Sequence, residues 1–130
     1  MSAPDAVTVA AAVVVRGDLY LVTRRLEGTH LAGLWEFPGG KCEPGESHEA
    51  CLRREILEEL GTSIRVGRRL LSTRHAYGVR LVELHFFECE LDADPQPMLG
   101  QDVRWVARDE LRVLPFPEAD AALIALLTGH

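Results

Sequence analysis

Three carboxylates, Glu55, Glu58 and Glu59, stand close together at spacings of three and four residues. On a helix that spacing gathers them on one side, where each like-charged pair costs about 0.2–0.5 kcal/mol. Acids near a helix C-terminus also oppose its macrodipole. A hard divalent cation relieves both penalties, because Mg²⁺ takes oxygen ligands, keeps several waters and shares phosphate oxygens. Upstream lies Phe37-Pro38-Gly39-Gly40-Lys41, whose paired glycines let backbone N–H and C=O groups approach a ligand with no Cβ in between. The chemistry such a set supports is hydrolysis of a polyphosphate on a cation. The plainer alternative is a solvated helix face, with Arg54 paired to Glu58 and the acids serving solubility. The glycine loop at a fixed distance from the acids favours the first reading.

These groups need a loop, a turn and a helix to position them. Pro44-Gly45 supplies the turn and Ser47 an N-cap, and the spacing predicts a helix that reaches Leu60 and stops at Gly61. Leu52, Ile56 and Leu60 recur at i, i+4 and i+8 and form the stripe to be buried. The carboxylates occupy the neighbouring face, with His48 and Cys51 one or two turns earlier.

The same residues resemble the signature of the Nudix hydrolases, G-x5-E-x7-R-E-U-x-E-E-x-G-U with U a bulky aliphatic. Here it reads Gly40, Glu46, Arg54, Glu55, Ile56, Glu58, Glu59, Gly61 and Thr62. Only the last position departs, and Thr62 touches packing at the helix exit rather than chemistry. A pattern with so many fixed positions is far more specific than a lone glycine motif. The resemblance implies one Nudix domain over residues 1–130, an α/β/α sandwich with a mixed β-sheet between helices. It implies Mg²⁺ as cofactor, with Mn²⁺ as a substitute, held by Glu55, Glu58, Glu59 and the main-chain carbonyl of Gly39. Glu55 would also take a proton from the attacking water. Arg54 would orient the glutamates, and Glu46 would anchor the loop or stand as an exposed helix-start acid. The MutT-like pattern places a further acid six residues before a Trp. That position before Trp105 is Leu99; Gln101 and Asp102 lie nearby, and Asp102 is the best substitute.

Outside the signature, Thr23-Arg24-Arg25 and the run from Gly33 to Lys41 resemble the MutT branch, which cleaves nucleoside triphosphates to monophosphate and pyrophosphate. Arg25 would meet phosphate or sugar, unless it is a strand-end surface charge. Lys41, the single lysine of the chain, would stand beside the phosphates. Phe37 would pack against a base or belong to the core. Asp120 lies where the branch reads the base. A carboxylate only accepts hydrogen bonds, which suits the amino edge of cytosine or guanine; the alternative is a helix-start acid. The implied function is nucleotide-pool sanitation by an Mg²⁺-dependent pyrophosphohydrolase acting on 8-oxo-dGTP, dCTP or modified dCTP. Two rivals are a nucleotide-sugar or dinucleotide hydrolase and a non-catalytic nucleotide-binding module.

Composition sets the frame. A chain of 130 residues, 47% of them apolar, can bury one core of its own. A net charge of −6 argues against nucleic acid or a membrane surface as partner, leaving a small-molecule nucleotide. Monomer and homodimer both remain open. Cys42, Cys51 and Cys89 form an odd set without CxxC spacing, which predicts neither a zinc site nor a disulfide frame and fits a reduced, cytoplasmic setting. Cys51 reads as a small buried filler rather than a nucleophile. Strands are predicted over residues 7–15, 19–24, 63–73, 79–91 and 104–107. A terminal helix is predicted over residues 118–127, after a helical turn at 109–111.

Overall fold

The computed structural model describes residues 6–24 and 33–129. Strand β1, Ala6–Arg16, lies at the centre of the sheet. Ala10, Ala12 and Val14 are buried toward one face and Ala11 and Val13 toward the other. A strand covered on both faces reads as an unbroken apolar run, which is why residues 7–15 show no alternation. The predicted strand is therefore present, one residue longer at each end.

Six further strands complete a mixed seven-stranded sheet: β2 (Leu19–Arg24), β3 (Trp35–Glu36), β4 (Gly39–Lys41), β5 (Ile64–Tyr77), β6 (Arg80–Leu91) and β7 (Asp102–Ala107). Along β1, β6 pairs in parallel from Ala6↔Leu81 to Val14↔Cys89. On its other edge β4 pairs antiparallel from Val9↔Lys41 to Ala11↔Gly39, and β2 at Val15↔Tyr20. Helix α1, His48–Leu60, covers one face with Cys51, Leu52, Ile56 and Leu60. Helix α2, Ala121–Thr128, covers the other through Leu123, beside Trp35, Phe37 and Phe86. This is the α/β/α sandwich.

Local signals account for α1. The Ser47 side chain accepts the Ala50 N–H at 3.0 Å, and Gly61 ends the helix in the left-handed region at φ 68°. Beyond it, Thr62 is buried, and its hydroxyl accepts the Ala93 N–H at 3.0 Å. The position that departs from the signature thus ties the helix exit to the connection before β7. His48 stacks on His85 of β6, with ring centroids 4.1 Å apart, and fastens the first turn to the sheet rather than joining the carboxylates.

Three expectations change. The fifth strand runs on to Tyr77 and turns through Gly78 into β6, because its polar residues lie on the solvated side of an edge hairpin. The terminal helix is divided, with a 3₁₀ turn at Glu118–Asp120 before α2 begins. The cysteine reading is overturned, since Cys42 and Cys51 form a disulfide and Cys89 is free and buried. An odd count hides a pair when the fold leaves one cysteine in the core. The Pro44-Gly45 turn folds the end of β4 onto α1 and sets the two Cα atoms 5.2 Å apart, within bridging range.

Leu52 is fully buried between α1 and the sheet. Leu52→Ala is expected to cost about 2–5 kcal/mol of stability, measured by chemical denaturation, as a large-to-small change in a closed core does.

Candidate functional site

The site forms where β4 passes under α1. Ala12 N–H donates to the Pro38 carbonyl at 2.7 Å and Cys42 N–H to the Thr8 carbonyl at 2.8 Å. In an antiparallel ladder alternate residues face the partner strand, so residues 38, 40 and 42 turn their backbone groups toward β1. Gly39 and Lys41 turn theirs away, toward α1. The Lys41 carbonyl accepts from Arg54 Nη2 at 3.1 Å. A Cβ on Gly39 would overlap the Ala10 carbonyl, a backbone group that cannot give way, and one on Gly40 would push the Glu55 carboxylate out of its place.

From β4 a chain of charged contacts runs along α1. Glu46 grips Arg54 through two bonds of 2.9 Å, Oε2 to Nε and Oε1 to Nη2. Glu46 Oε1 also accepts the Glu43 N–H at 2.9 Å. Arg54 Nη1 then reaches Glu55 Oε2 at 2.5 Å. The Arg54 guanidinium, followed by the Glu43 N–H, pulls the Glu46 carboxyl down to about 2. Arg54 is in turn held above its ordinary value, first by Glu46.

Glu59 lies one turn beyond Glu55 and is hydrogen-bonded to it. Burial, then the hydrogen bond and charge of Glu55, then the charge of Glu36 hold Glu59 well above the usual carboxylate range; the Gly39 N–H, which donates to it, works the other way. Two acids pressed together away from water are a donor set that shares a proton or takes a cation. The arrangement fits a hard divalent ion: carboxylate oxygens beside outward-turned backbone groups, on the wall of a cavity. Sγ of Cys42 and of Cys51 and a Glu46 oxygen also lie within 4.8 Å of one another. There the sulfurs are committed to each other and Glu46 to Arg54.

The cavity, ≈ 550 Å³, runs from these acids across the sheet toward Asp120. Glu55, Glu59, Gly39, Gly40, Lys41, Phe37 and Asp120 all line it. Phe37 is both core and wall, stacked on Phe116 at 5.4 Å between centroids. Asp120 is buried at the end of the 3₁₀ turn that precedes α2.

Two expected residues stand elsewhere. The Glu58 side chain is 59% exposed, its Oε1 3.8 Å from Arg54 Nη1, and it does not line the cavity. Along a helix Glu59 advances 40° past Glu55 while Glu58 falls 60° short of a full turn, so the two diverge. Asp102 is directly across the ladder from Arg24 and pairs with it, outside the cavity lining. Register with β2, not nearness in sequence to Trp105, decides where that carboxylate goes. Arg25 lies outside the described residues.

Two residues have contacts at the site that the sequence does not assign to them. Glu36 lines the cavity near Glu59, and its position two residues before Pro38, facing the loop, was the available signal. Gln101 is buried; its Nε2 donates to the Glu59 carbonyl at 2.8 Å and its Oε1 accepts the Leu99 N–H at 3.0 Å. Nothing in its sequence context marks that link, which depends on the path of residues 92–101.

Comparison with known proteins agrees with this fold. A family model described as a NUDIX domain matches residues 9–126. The CTP pyrophosphohydrolase of Escherichia coli (strain K12) is 34% identical over 119 residues, covering 91% of this chain and 88% of that protein. A putative 8-oxo-dGTP diphosphatase 2 of Mycobacterium tuberculosis is 35% identical over 128 residues, covering 90% and 84%. Among solved structures, that of the E. coli ORF135 protein superposes with a TM-score of 0.82 at 34% identity, over 95% of this chain and 86% of that one. With the signature and its sandwich in place over nearly the whole length, the chain belongs to the Nudix family, in its MutT-like branch, as a divalent-cation-dependent hydrolase of nucleoside triphosphates.

Proposed function

We propose that the protein is an Mg²⁺-dependent pyrophosphohydrolase of the nucleotide pool, releasing monophosphate and pyrophosphate from 8-oxo-dGTP, dCTP or modified dCTP. The observation that carries the reading is the single cavity wall that joins Glu55 and Glu59 to Asp120. It gives a cation site at one end and an acceptor-only side chain at the other. The printed names of the E. coli and M. tuberculosis relatives, a CTP and an 8-oxo-dGTP enzyme, support the same two base classes.

Glu55, Glu59 and the Gly39 carbonyl hold the cation, with Mn²⁺ as a substitute; Glu58 and Asp102 reach it only by moving from where they stand. When bound, the ion neutralises polyphosphate charge and acidifies a coordinated water. Glu55 accepts the proton of the attacking water, and Arg54, clamped by Glu46, keeps that carboxylate turned toward the cavity. Lys41 faces the phosphates and Phe37 forms the wall beside the base; for Arg25, outside the described residues, contact with phosphate or sugar remains the sequence expectation. Asp120 accepts from N4 of cytosine, or from N1–H and the 2-amino group of guanine. The cytoplasm is the proposed site of action, with neither nucleic acid nor membrane as partner. Among the described residues no helix is long and apolar enough to cross a membrane.

Pyrophosphate release measured across canonical and oxidised triphosphates, nucleotide sugars and dinucleotides tests the assignment; turnover confined to sugar diphosphates would move it to another Nudix activity. Glu59→Gln is expected to lower kcat by at least about 10²-fold with the fold intact, since several kcal/mol of charge stabilisation go with the cation. Near wild-type turnover would contradict the ligand assignment. Asp120→Asn should change the ranking of bases while leaving the metal dependence of the reaction unaltered.

Proton linkage supplies a further test. Glu59 keeps its proton in the folded chain above the ordinary value of 4.5, so without cation the folded state binds more protons and stability falls as pH rises past that value. Added Mg²⁺ replaces the proton, and its stabilising effect should be larger near about pH 8 than near about pH 5. Thermal melts at both pH values check this, and Glu59→Gln should flatten the dependence.

A further inference from the structure

The Cys42–Cys51 bridge links the two parts of the site that carry its backbone and its carboxylates. Cys42 directly follows β4, and its N–H is fixed on the Thr8 carbonyl at 2.8 Å. Cys51 is fully buried on the inner face of α1, one turn before Glu55. The bridge closes the segment 43–50, which contains Glu46. Glu46 holds Arg54 and Arg54 holds Glu55, so the covalent link lies two contacts from the proposed base. The two residues differ in burial, Cys42 half-buried at the edge of the core layer and Cys51 fully buried within it. The third cysteine, Cys89, is buried in the same core layer and is free.

We propose that Cys42 and Cys51 are a reversible thiol–disulfide exchange site for low-molecular-weight disulfides, and that closing the bridge tightens the carboxylate end of the cavity for its cation. The second half rests on the function proposed above; the first does not. In the closing direction the Cys42 thiolate attacks the small disulfide, forming a mixed disulfide and releasing one thiol. The Cys51 thiolate then attacks Cys42 Sγ, forming the internal bridge and releasing the second thiol. Two protein thiols are oxidised and one small disulfide is reduced to two thiols, with both protons passing to solvent or to the departing thiolates. Opening is the reverse, begun by a small thiolate at Cys42 Sγ, the sulfur of the less buried residue of the pair. Without the bridge, segment 43–50 is held by the Glu46–Arg54 and Ser47 contacts and by the stack of His48 on His85.

The experiment equilibrates the purified full chain with glutathione disulfide or with reduced glutathione, and alkylates free thiols under native and then denaturing conditions. A Cys42–Cys51 linked peptide in the first sample, two alkylated cysteines in its place in the second, and Cys89 unlinked in both are expected. Alkylation of Cys42 and Cys51 after the disulfide treatment, or a bridge that reduced glutathione fails to open, overturns the exchange site. On the same samples the half-saturating Mg²⁺ concentration for pyrophosphate release should be about tenfold higher in the open form, as for loss of an outer support of a metal site. Cys42→Ser should match the open form under both treatments. Equal Mg²⁺ dependence in the bridged and open forms overturns the coupling. Absence of Mg²⁺-dependent turnover in both contradicts the proposed function, and the thiol mapping still decides the exchange.

Discussion

Glu55 and Glu59 are pressed against each other and against the backbone of Gly39 and Gly40, and the rest of the molecule serves to keep them there. Two carboxylates sharing a half-buried position cost free energy unless a proton or a cation lies between them. That cost is met by the packing of α1, whose Leu52, Ile56 and Leu60 are fully buried against Ala10, Ala12 and Val14 of β1. The small alanines of β1 let the helix and β4 both come close to the strand. Loss of either glycine side of this contact would put a Cβ into backbone or carboxylate.

The Glu46–Arg54–Glu55 chain gives the acids an orientation as well as a position. Bidentate contact of a guanidinium with a carboxylate fixes direction better than a lysine could. Arg54 carries that direction from the turn before α1 to the carboxylate one residue on, and it also holds the Lys41 carbonyl. The surface alternative, an Arg54–Glu58 pair, survives only as a 3.8 Å approach on the exposed side. At the far end of the cavity Asp120 arrives on a different element, so the proposed base contact and the proposed phosphate chemistry rest on separate parts of the fold.

Much of this was legible in the residues. Ser47, Gly61 and the Leu52–Ile56–Leu60 stripe specify α1 through local capping and periodicity, and the signature spacing places the acids on it. What escaped was whatever depends on register or on distant backbone. Asp102 is drawn to Arg24 by the β2–β7 ladder, Gln101 is carried to the Glu59 carbonyl by residues 92–101, and Glu36 faces the acids only because β3 joins β2. Glu58 shows the limit of spacing arguments, because i+3 and i+4 neighbours lie on opposite sides of the residue they share. Counting cysteines failed for a related reason: parity carries no information once one of them is confined to the core.

If the paired acids hold a divalent ion, Mn²⁺ binding followed by electron paramagnetic resonance shows it without turnover. Wild-type protein should deplete the free-ion signal in proportion to its concentration, and the Glu55→Gln, Glu59→Gln double variant, folded by circular dichroism, should leave the signal undiminished. Equal uptake by the two proteins, with or without nucleotide, would contradict the account.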